Sequence, residues 1–142
     1  MILIDVNVLV YAKRLDSVNH AKFHTWLEEA FNSEATIGCS DLVLSSVVRI
    51  LTHPQIFPEP TRLHEALEYV TYLREQPSCV PIAPGARHWH IFTQMCKASG
   101  AKGNLVSDAY FAALAIESGS EWITADRDFA RFPGLSWRHP LT

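Results

Sequence analysis

Residues 1–14 read MILIDVNVLVYAKR, and they place one carboxylate inside an otherwise apolar stretch. The run at 1–6 has the length of a short β-strand, and its lack of polar alternation is typical of a strand covered on both faces. An ionised aspartate is unfavourable in apolar surroundings unless something pairs with it, so Asp5, near the end of this strand, requires a partner. We expect the remainder of the chain to supply that partner.

Short apolar runs alternate with helix-length segments along the rest of the chain, which predicts a three-layer α/β/α sandwich around a central, mostly parallel sheet. Strands are predicted at 1–6, 35–39, 79–83, 122–125 and 135–137. Helices are predicted near 18–32, 40–52, 61–76, 85–99 and 105–118, with a short one from about residue 126. No repeat or change of composition interrupts the chain, so we expect a single domain over residues 1–142.

Composition limits the classes of function. The chain has 142 residues, 48% of them hydrophobic, and a formal net charge of -3, which excludes the broad positive field of nonspecific nucleic-acid binders. We expect a cytoplasmic protein without membrane contact, because neither a secretion signal nor a membrane-length apolar run is present. Cys39, Cys79 and Cys96 form no CxxC pair, which predicts buried, reduced thiols.

A first candidate neighbour for Asp5 lies in GNLVSDAYFAALAIESG, residues 103–119. Asp108 falls in the first turn of a predicted helix, and Ala112 and Ala115 follow it on the same face. That small apolar face should pack on the sheet, which points Asp108 toward the edge where the strands end. The helix dipole alone would also favour an acid at this position.

Two more acids stand in EWITADRDFARFPG, residues 121–134. The predicted strand runs straight into Asp126 and Asp128, and either residue can cap the short helix that follows. Helix capping alone would explain the presence of both aspartates, without a role in binding or catalysis. Their place directly after a strand is nevertheless the same as that of Asp5.

The convergence of these segments favours a shared site. In open parallel sheets, ligands bind beyond the carboxyl ends of the strands, where Asp5, Asp108, Asp126 and Asp128 are expected to meet. Like charges gathered there raise one another's pKa unless a hard cation neutralises them. Carboxylate oxygens are the ligands that Mg²⁺ and Mn²⁺ prefer. The partner of Asp5 is therefore predicted to be a divalent metal ion.

In this order, the segments IDVNVLVYA, SDLVLSSVVRILTHPQIF, NLVSDAYFAALAIE and ITADRDFARFPGL resemble PIN-domain proteins, specifically VapC-type toxins of bacterial type II toxin–antitoxin modules. The resemblance implies a metal-dependent endoribonuclease that hydrolyses RNA phosphodiester bonds with Mg²⁺ or Mn²⁺. By matching position, Asp5, Asp108 and Asp126 are the expected catalytic residues and, with Asp128, the expected metal ligands. Asn7 matches the supporting asparagine of the family's opening motif.

The segment SDLVLSSVVRIL departs from that pattern. Most VapC-type toxins carry a glutamate in this helix, and Ser46 stands at its position here. Asp41 is no replacement, because it lies about 140° around a helix of 3.6 residues per turn. We expect such a site to hold its metals more weakly, or to hold one metal instead of two, with Ser46 in a supporting place.

RNA approaching an acidic site requires positive side chains at its edge. Arg49 and Arg127 are the leading candidates for binding RNA, and Arg87, Lys102 and Arg131 are the other cations near the predicted site. Each of these side chains would otherwise be an ordinary solvated surface charge.

The resemblance also implies partners: a cognate VapB-type antitoxin, an RNA substrate and a second copy in a homodimer. Two alternative functions remain open. Ser46 is compatible with a catalytically weakened PIN domain that binds antitoxin or RNA without cutting. An aspartate-nucleophile phosphatase would use Asp5, but such enzymes usually need a second acid two residues later, where Asn7 stands.

Overall fold

The computed structural model describes all residues from Met1 to Thr142 and contains a five-stranded sheet in which every strand pair is parallel. The strands, in the order β3-β2-β1-β4-β5, are β1 (Ile2–Ile4), β2 (Ile37–Cys39), β3 (Cys79–Pro81), β4 (Glu121–Ile123) and β5 (Trp137–Arg138). The helices are α1 (Val6–Lys13), α2 (His20–Asn32), α3 (Asp41–Leu51), α4 (Leu63–Arg74), α5 (His88–Ser99) and α6 (Asn104–Ser118), with a 3₁₀ helix η1 (Arg127–Arg131). The predicted sandwich is confirmed. None of these helices combines the length and the apolar character needed to cross a membrane.

The connections between strands decide which face each helix covers. From β1 to β2 to β3 the chain moves in one direction across the sheet, so right-handed crossovers place α1 to α4 on one face. From β3 it passes to β4 on the other side of β1, which places α5 and α6 on the opposite face. The connections therefore run to opposite sides of the sheet on either side of the gap between the parallel strands β1 and β4. The carboxyl ends of these two strands form the crevice where such sheets bind ligands.

The core on the second face depends on small residues of α6. Ala112 and Ala115 are completely buried, as the sequence predicts, and they allow the helix to approach the sheet closely. Trp122 of β4 is also completely buried, with the rings of Phe111 and Phe129 centred 5.5 and 5.4 Å from its own. These contacts hold α6, β4 and η1 together, and the predicted acids lie on these elements or next to them.

Helix α1 is the one element that the sequence pattern did not predict. The strand predicted over 1–6 ends at Ile4, and the helix begins at Val6. Asp5 makes this change of structure, because its carboxylate accepts a 2.6 Å hydrogen bond from the Val6 amide and caps the helix. The aspartate therefore follows the strand instead of lying within it. All other predicted elements agree with the structure to within three residues at each end.

The expectation of reduced thiols is wrong for two of the three cysteines. Cys39 and Cys79 form a disulfide between β2 and β3, with Cα atoms 5.8 Å apart, and Cys96 is free. The parallel register pairs Ile37 with Cys79 and Cys39 with Pro81, which places the two cysteines diagonally across neighbouring strands. A separation of 40 positions concealed this adjacency in the sequence.

Candidate functional site

Asp5 is the most buried acid of the candidate site, with 6% of its surface exposed. It lies directly after β1, at the crevice between β1 and β4. One carboxylate oxygen accepts from the Val6 amide, and the other accepts a 2.7 Å hydrogen bond from the Thr124 hydroxyl. Both oxygens are therefore held in place, although each keeps a lone pair available for a further ligand.

Thr124 connects the ends of β1 and β4, and our sequence analysis did not include it. Its side chain is completely buried, and its oxygen accepts from the Asp126 amide at 3.0 Å and from the Asn7 side-chain amide at 3.4 Å. Asn7 in turn accepts from the Ala125 amide at 3.3 Å, consistent with its expected supporting place. A hydroxyl residue between a buried strand and an acidic turn was the signal that could have identified Thr124.

Asp108 and Asp126 reach the same crevice from other elements. Asp108 is half-buried and is the fifth residue of α6, one residue further into the helix than the sequence predicts, because the helix begins at Asn104. Asp126 caps η1 by accepting a 2.9 Å hydrogen bond from the Asp128 amide. Asp128 itself is exposed, on the outer side of the group.

The acids influence one another's ionisation. Burial raises the pKa of Asp5 to about 7 against the opposing hydrogen bonds from Thr124 and Val6, and the charges of Asp108 and Asp126 raise it further. Burial likewise raises the pKa of Asp108 to about 6, with added repulsion from Asp126 and Asp128. No lysine or arginine offsets either effect, so the group retains excess negative charge that a cation would relieve.

Two recesses meet at these acids. The first, which we call the apolar groove, has a volume of about 790 Å³ and contains Ser46 and Arg49 together with many aromatic and aliphatic side chains. The second, which we call the polar recess, has a volume of about 600 Å³ and contains Lys102 and Arg131. Three residues line both: Asn104, Asp108 and Asp126. Asp5 lines only the groove, and Asp128 lines only the recess.

Position 46 lies on the same groove as the acids. Ser46 lines the apolar groove with Asp5, Asp108 and Asp126, and its hydroxyl makes no hydrogen bond. Asp41 is exposed and pairs with Arg74 at 2.9 Å, so it does not supply the absent carboxylate. No group of three or more His, Cys, Asp or Glu side chains is close enough to hold one metal ion in this conformation.

The remaining cations named in the sequence analysis lie elsewhere. The guanidinium of Arg87 donates to the Glu117 carbonyl at 3.1 Å. Arg127 is exposed and faces His139, whose pKa is lowered first by burial and then by the Arg127 charge. Neither side chain lines the groove or the recess, whereas Arg49, Lys102 and Arg131 all do.

We expect Thr124→Val to shift the acid limb of the pH–activity profile upward by about one pH unit, because Asp5 loses a charge-assisted hydrogen bond. The variant should also lose about 1–3 kcal/mol of stability, since the partly buried Asp126 amide loses its acceptor. Thr124→Ser keeps the hydroxyl and is the matched control. An unchanged profile in the valine variant, measured by activity between pH 5 and pH 9, would contradict this role.

The chain is similar to known proteins along nearly its whole length. A family model described as PIN domain matches residues 2–135. Ribonuclease VapC43 of Mycobacterium tuberculosis is 43% identical over 141 residues, which cover 99% of this chain and 96% of that protein. Ribonuclease VapC25 of the same organism is 34% identical over 140 residues and covers 99% of both chains.

Solved structures share the fold at low sequence identity. VapBC2 from Rickettsia felis, bound to a DNA fragment from its promoter, superposes with a TM-score of 0.71 at 19% identity, covering 97% of this chain and 98% of that chain. VapC20 of Mycobacterium tuberculosis, described as a sarcin-ricin loop cleaving toxin, superposes with a TM-score of 0.69 at 14% identity, covering 95% and 98%.

Proposed function

Because the chain belongs to the PIN-domain family and, within it, to the VapC ribonucleases, we propose that it is the metal-dependent endoribonuclease toxin of a type II toxin–antitoxin system. One observation supports the proposed chemistry most strongly. Asp5, Asp108 and Asp126 come from three separate segments and line one groove at the switch point of the sheet.

The donor set fits Mg²⁺ or Mn²⁺, since these ions prefer carboxylate oxygens and Asp5 and Asp108 have raised pKa values that no cationic partner offsets. In our proposal Asp5, Asp108 and Asp126 hold the ion, and Asp128 supports it from the outer side. In this conformation the carboxylates lie too far apart to hold one ion together, so our proposal includes a closer approach of their side chains.

A divalent ion held by Asp5, Asp108 and Asp126 would supply the chemistry that activates a water and neutralises charge on the phosphate. The protein's part is to orient the ligands and the RNA. Thr124 and the Val6 amide fix the Asp5 carboxylate, and Asn7 fixes the turn that carries Asp126. Arg49 is exposed and makes no ion pair, so it is free to contact a phosphate from the groove side. We keep Arg127 as a second candidate for RNA binding, at a more distant position.

We propose a VapB-type antitoxin as the protein partner and a homodimer as the working assembly. The solved relatives described as VapBC complexes support the first proposal. The apolar groove suits a polypeptide segment, because aromatic and aliphatic side chains surround the acids there. An antitoxin segment in this groove would block the access of RNA to Asp108.

The weakened, binding-only function remains the second candidate because of Ser46. The groove offers a small hydroxyl where the family usually has a carboxylate, and fewer charged ligands lower metal affinity. An aspartate-nucleophile phosphatase is not supported, since only 6% of Asp5 is exposed and both its oxygens accept hydrogen bonds.

We expect Ser46→Glu to raise the affinity for Mn²⁺ by about tenfold, because it adds a charged oxygen ligand to the same groove. Ser45→Glu is the matched control, since Ser45 is exposed, bonds to the Leu42 carbonyl and does not line the groove. Titration calorimetry measures both variants. Equal affinity in the two would mean that position 46 does not face the metal.

The proposed function is tested by incubating end-labelled total and structured RNA with the purified protein in Mg²⁺ or Mn²⁺. We expect specific cuts that leave 5′-phosphates and that disappear when EDTA removes the metal. Cuts that persist in EDTA would contradict metal dependence. RNA binding without any cutting would favour the weakened PIN domain instead.

A further inference from the structure

The polar recess adjoins the apolar groove at the acids but differs from it in the side chains that line it. Only one of its lining side chains, Leu105, is hydrophobic, whereas eleven of the residues that line the groove are. The two spaces meet at Asp108 and Asp126. A nucleotide strand with its phosphate at these carboxylates therefore continues into the groove on one side and into the recess on the other.

The two cations of the recess have no partner within the protein. Neither Lys102 nor Arg131 forms an ion pair or a side-chain hydrogen bond, although Asp108, Asp126 and Asp128 line the same recess. Other arginines of the chain do form pairs, at distances of 2.6–3.1 Å: Arg14, Arg74 and Arg138. The cationic groups of Lys102 and Arg131 are thus available to an external anion.

The backbone that carries both cations is anchored. Arg131 ends η1 and stands between Phe129 and Phe132, which are 1% and 3% exposed. The backbone carbonyl of Lys102 accepts a 3.1 Å hydrogen bond from the Leu105 amide, and Lys102 precedes Gly103, whose φ of 55° few other residues adopt. Both side chains therefore extend from fixed positions while their ends remain exposed.

We propose that the polar recess is a phosphate-binding subsite, in which Lys102 and Arg131 hold the RNA backbone on one side of the scissile bond. This inference rests on the proposed function, because the same acids line both spaces. Backbone phosphates suit the recess better than bases do, since ammonium and guanidinium groups bind phosphate and almost no apolar surface is present. At a net charge of -3 such local cations, and not a general positive field, must attract RNA.

The test measures cleavage kinetics of Lys102→Ala and Arg131→Ala on an RNA cut at one defined bond. We expect each variant to raise KM by about tenfold and to leave kcat nearly unchanged, because the lost contact positions the strand. Lys102→Arg and Arg131→Lys should restore most of the loss. The matched control is Lys22→Ala, which removes an exposed, unpaired cation of α2 that lines neither space.

Shortened substrates identify the side of the cut. RNA truncated on the side that occupies the recess should abolish the KM difference between the variants and the wild type, and truncation on the other side should preserve it. An unchanged KM in both alanine variants, or an equal rise in Lys22→Ala, would overturn the subsite. So would weaker antitoxin binding with normal RNA kinetics, because the recess would then serve a protein.

A binding measurement separates this inference from the proposed function. Fluorescence anisotropy with a labelled single-stranded RNA gives the RNA association constant K at several salt concentrations. A plot of log K against log salt concentration has a negative slope, and each alanine variant should reduce the magnitude of that slope by about 0.7. If the wild type binds RNA with this dependence but never cuts, the proposed function fails and the subsite stands. Cutting with unaltered slopes and KM overturns the subsite alone, and absence of RNA binding overturns both.

Discussion

Asp108→Asn is expected to lower kcat/KM for RNA cleavage by more than about 100-fold. Changes to residues that merely orient metal ligands cost 10–100-fold, and a direct ligand should cost at least as much. The substitution keeps the shape of the side chain at a half-buried position of α6, so the fold should survive. It removes one of the carboxylates shared by the apolar groove and the polar recess.

Asp41→Asn is the matched control for this experiment, because Asp41 is exposed, pairs with Arg74 and lines neither space. It should retain the activity of the wild type. Calorimetry with Mn²⁺ should reveal weaker binding in Asp108→Asn. If Asp108→Asn kept kcat/KM within tenfold of the wild type, Asp108 would be excluded as a ligand.

The metal-free protein is expected to lose about 3 kcal/mol of stability as the pH rises from 5 to 8. The pKa of Asp5 is raised to about 7 in the folded state, from an ordinary value of 3.8, so folding favours the protonated form. Its contribution is complete below pH 4 and is lost as the pH rises through 7. Asp108, with a pKa near 6, adds less because solvent screens its half-exposed carboxyl group.

Urea unfolding in EDTA at several pH values measures this effect. Starting at pH 5 avoids the carboxyl groups whose pKa values are lowered, Asp16, Asp41 and Glu117, because they are already ionised there. The pKa of His139 is also lowered, and this group opposes the trend within the range because the unfolded state binds its proton more tightly. Asp5→Asn should flatten most of the dependence. Saturating Mn²⁺ should reverse it, because the ion binds the deprotonated acids. Stability that rises with pH in EDTA would contradict the assignment of raised pKa values.

The fold was predictable because the buried strands alternate with helices of clear periodicity. Helix α1 was not predictable in this way, because Val6, Val8 and Val10 alternate like strand residues. The hydrogen bond from the Val6 amide to the Asp5 carboxylate starts the helix, and a pattern of apolar residues does not predict this bond. Asp5 therefore stands out in the sequence as an isolated acid, whereas its role as the cap of α1 is visible only in the structure.

That Asp5, Asp108 and Asp126 line one groove was predictable for a general reason, since residues after parallel strands share one edge of the sheet. The surrounding side chains were harder to assign. Arg127 and Arg131 begin and end the same five-residue 3₁₀ helix, yet one faces His139 and the other the polar recess. Spacing alone cannot distinguish them, because the direction of a short turn depends on the packing of Phe129.

The hydrogen bond between Thr124 and Asp5 joins residues 119 positions apart. Contacts of such long range form late, because much of the chain must be ordered before its two ends meet. During synthesis, therefore, a nascent chain that has not yet reached Thr124 and Asp126 cannot assemble the crevice at all. If the proposed function holds, an incomplete translation product would carry no cleavage centre, and a cell making this protein would be exposed to its activity only after the last strands have been made and paired.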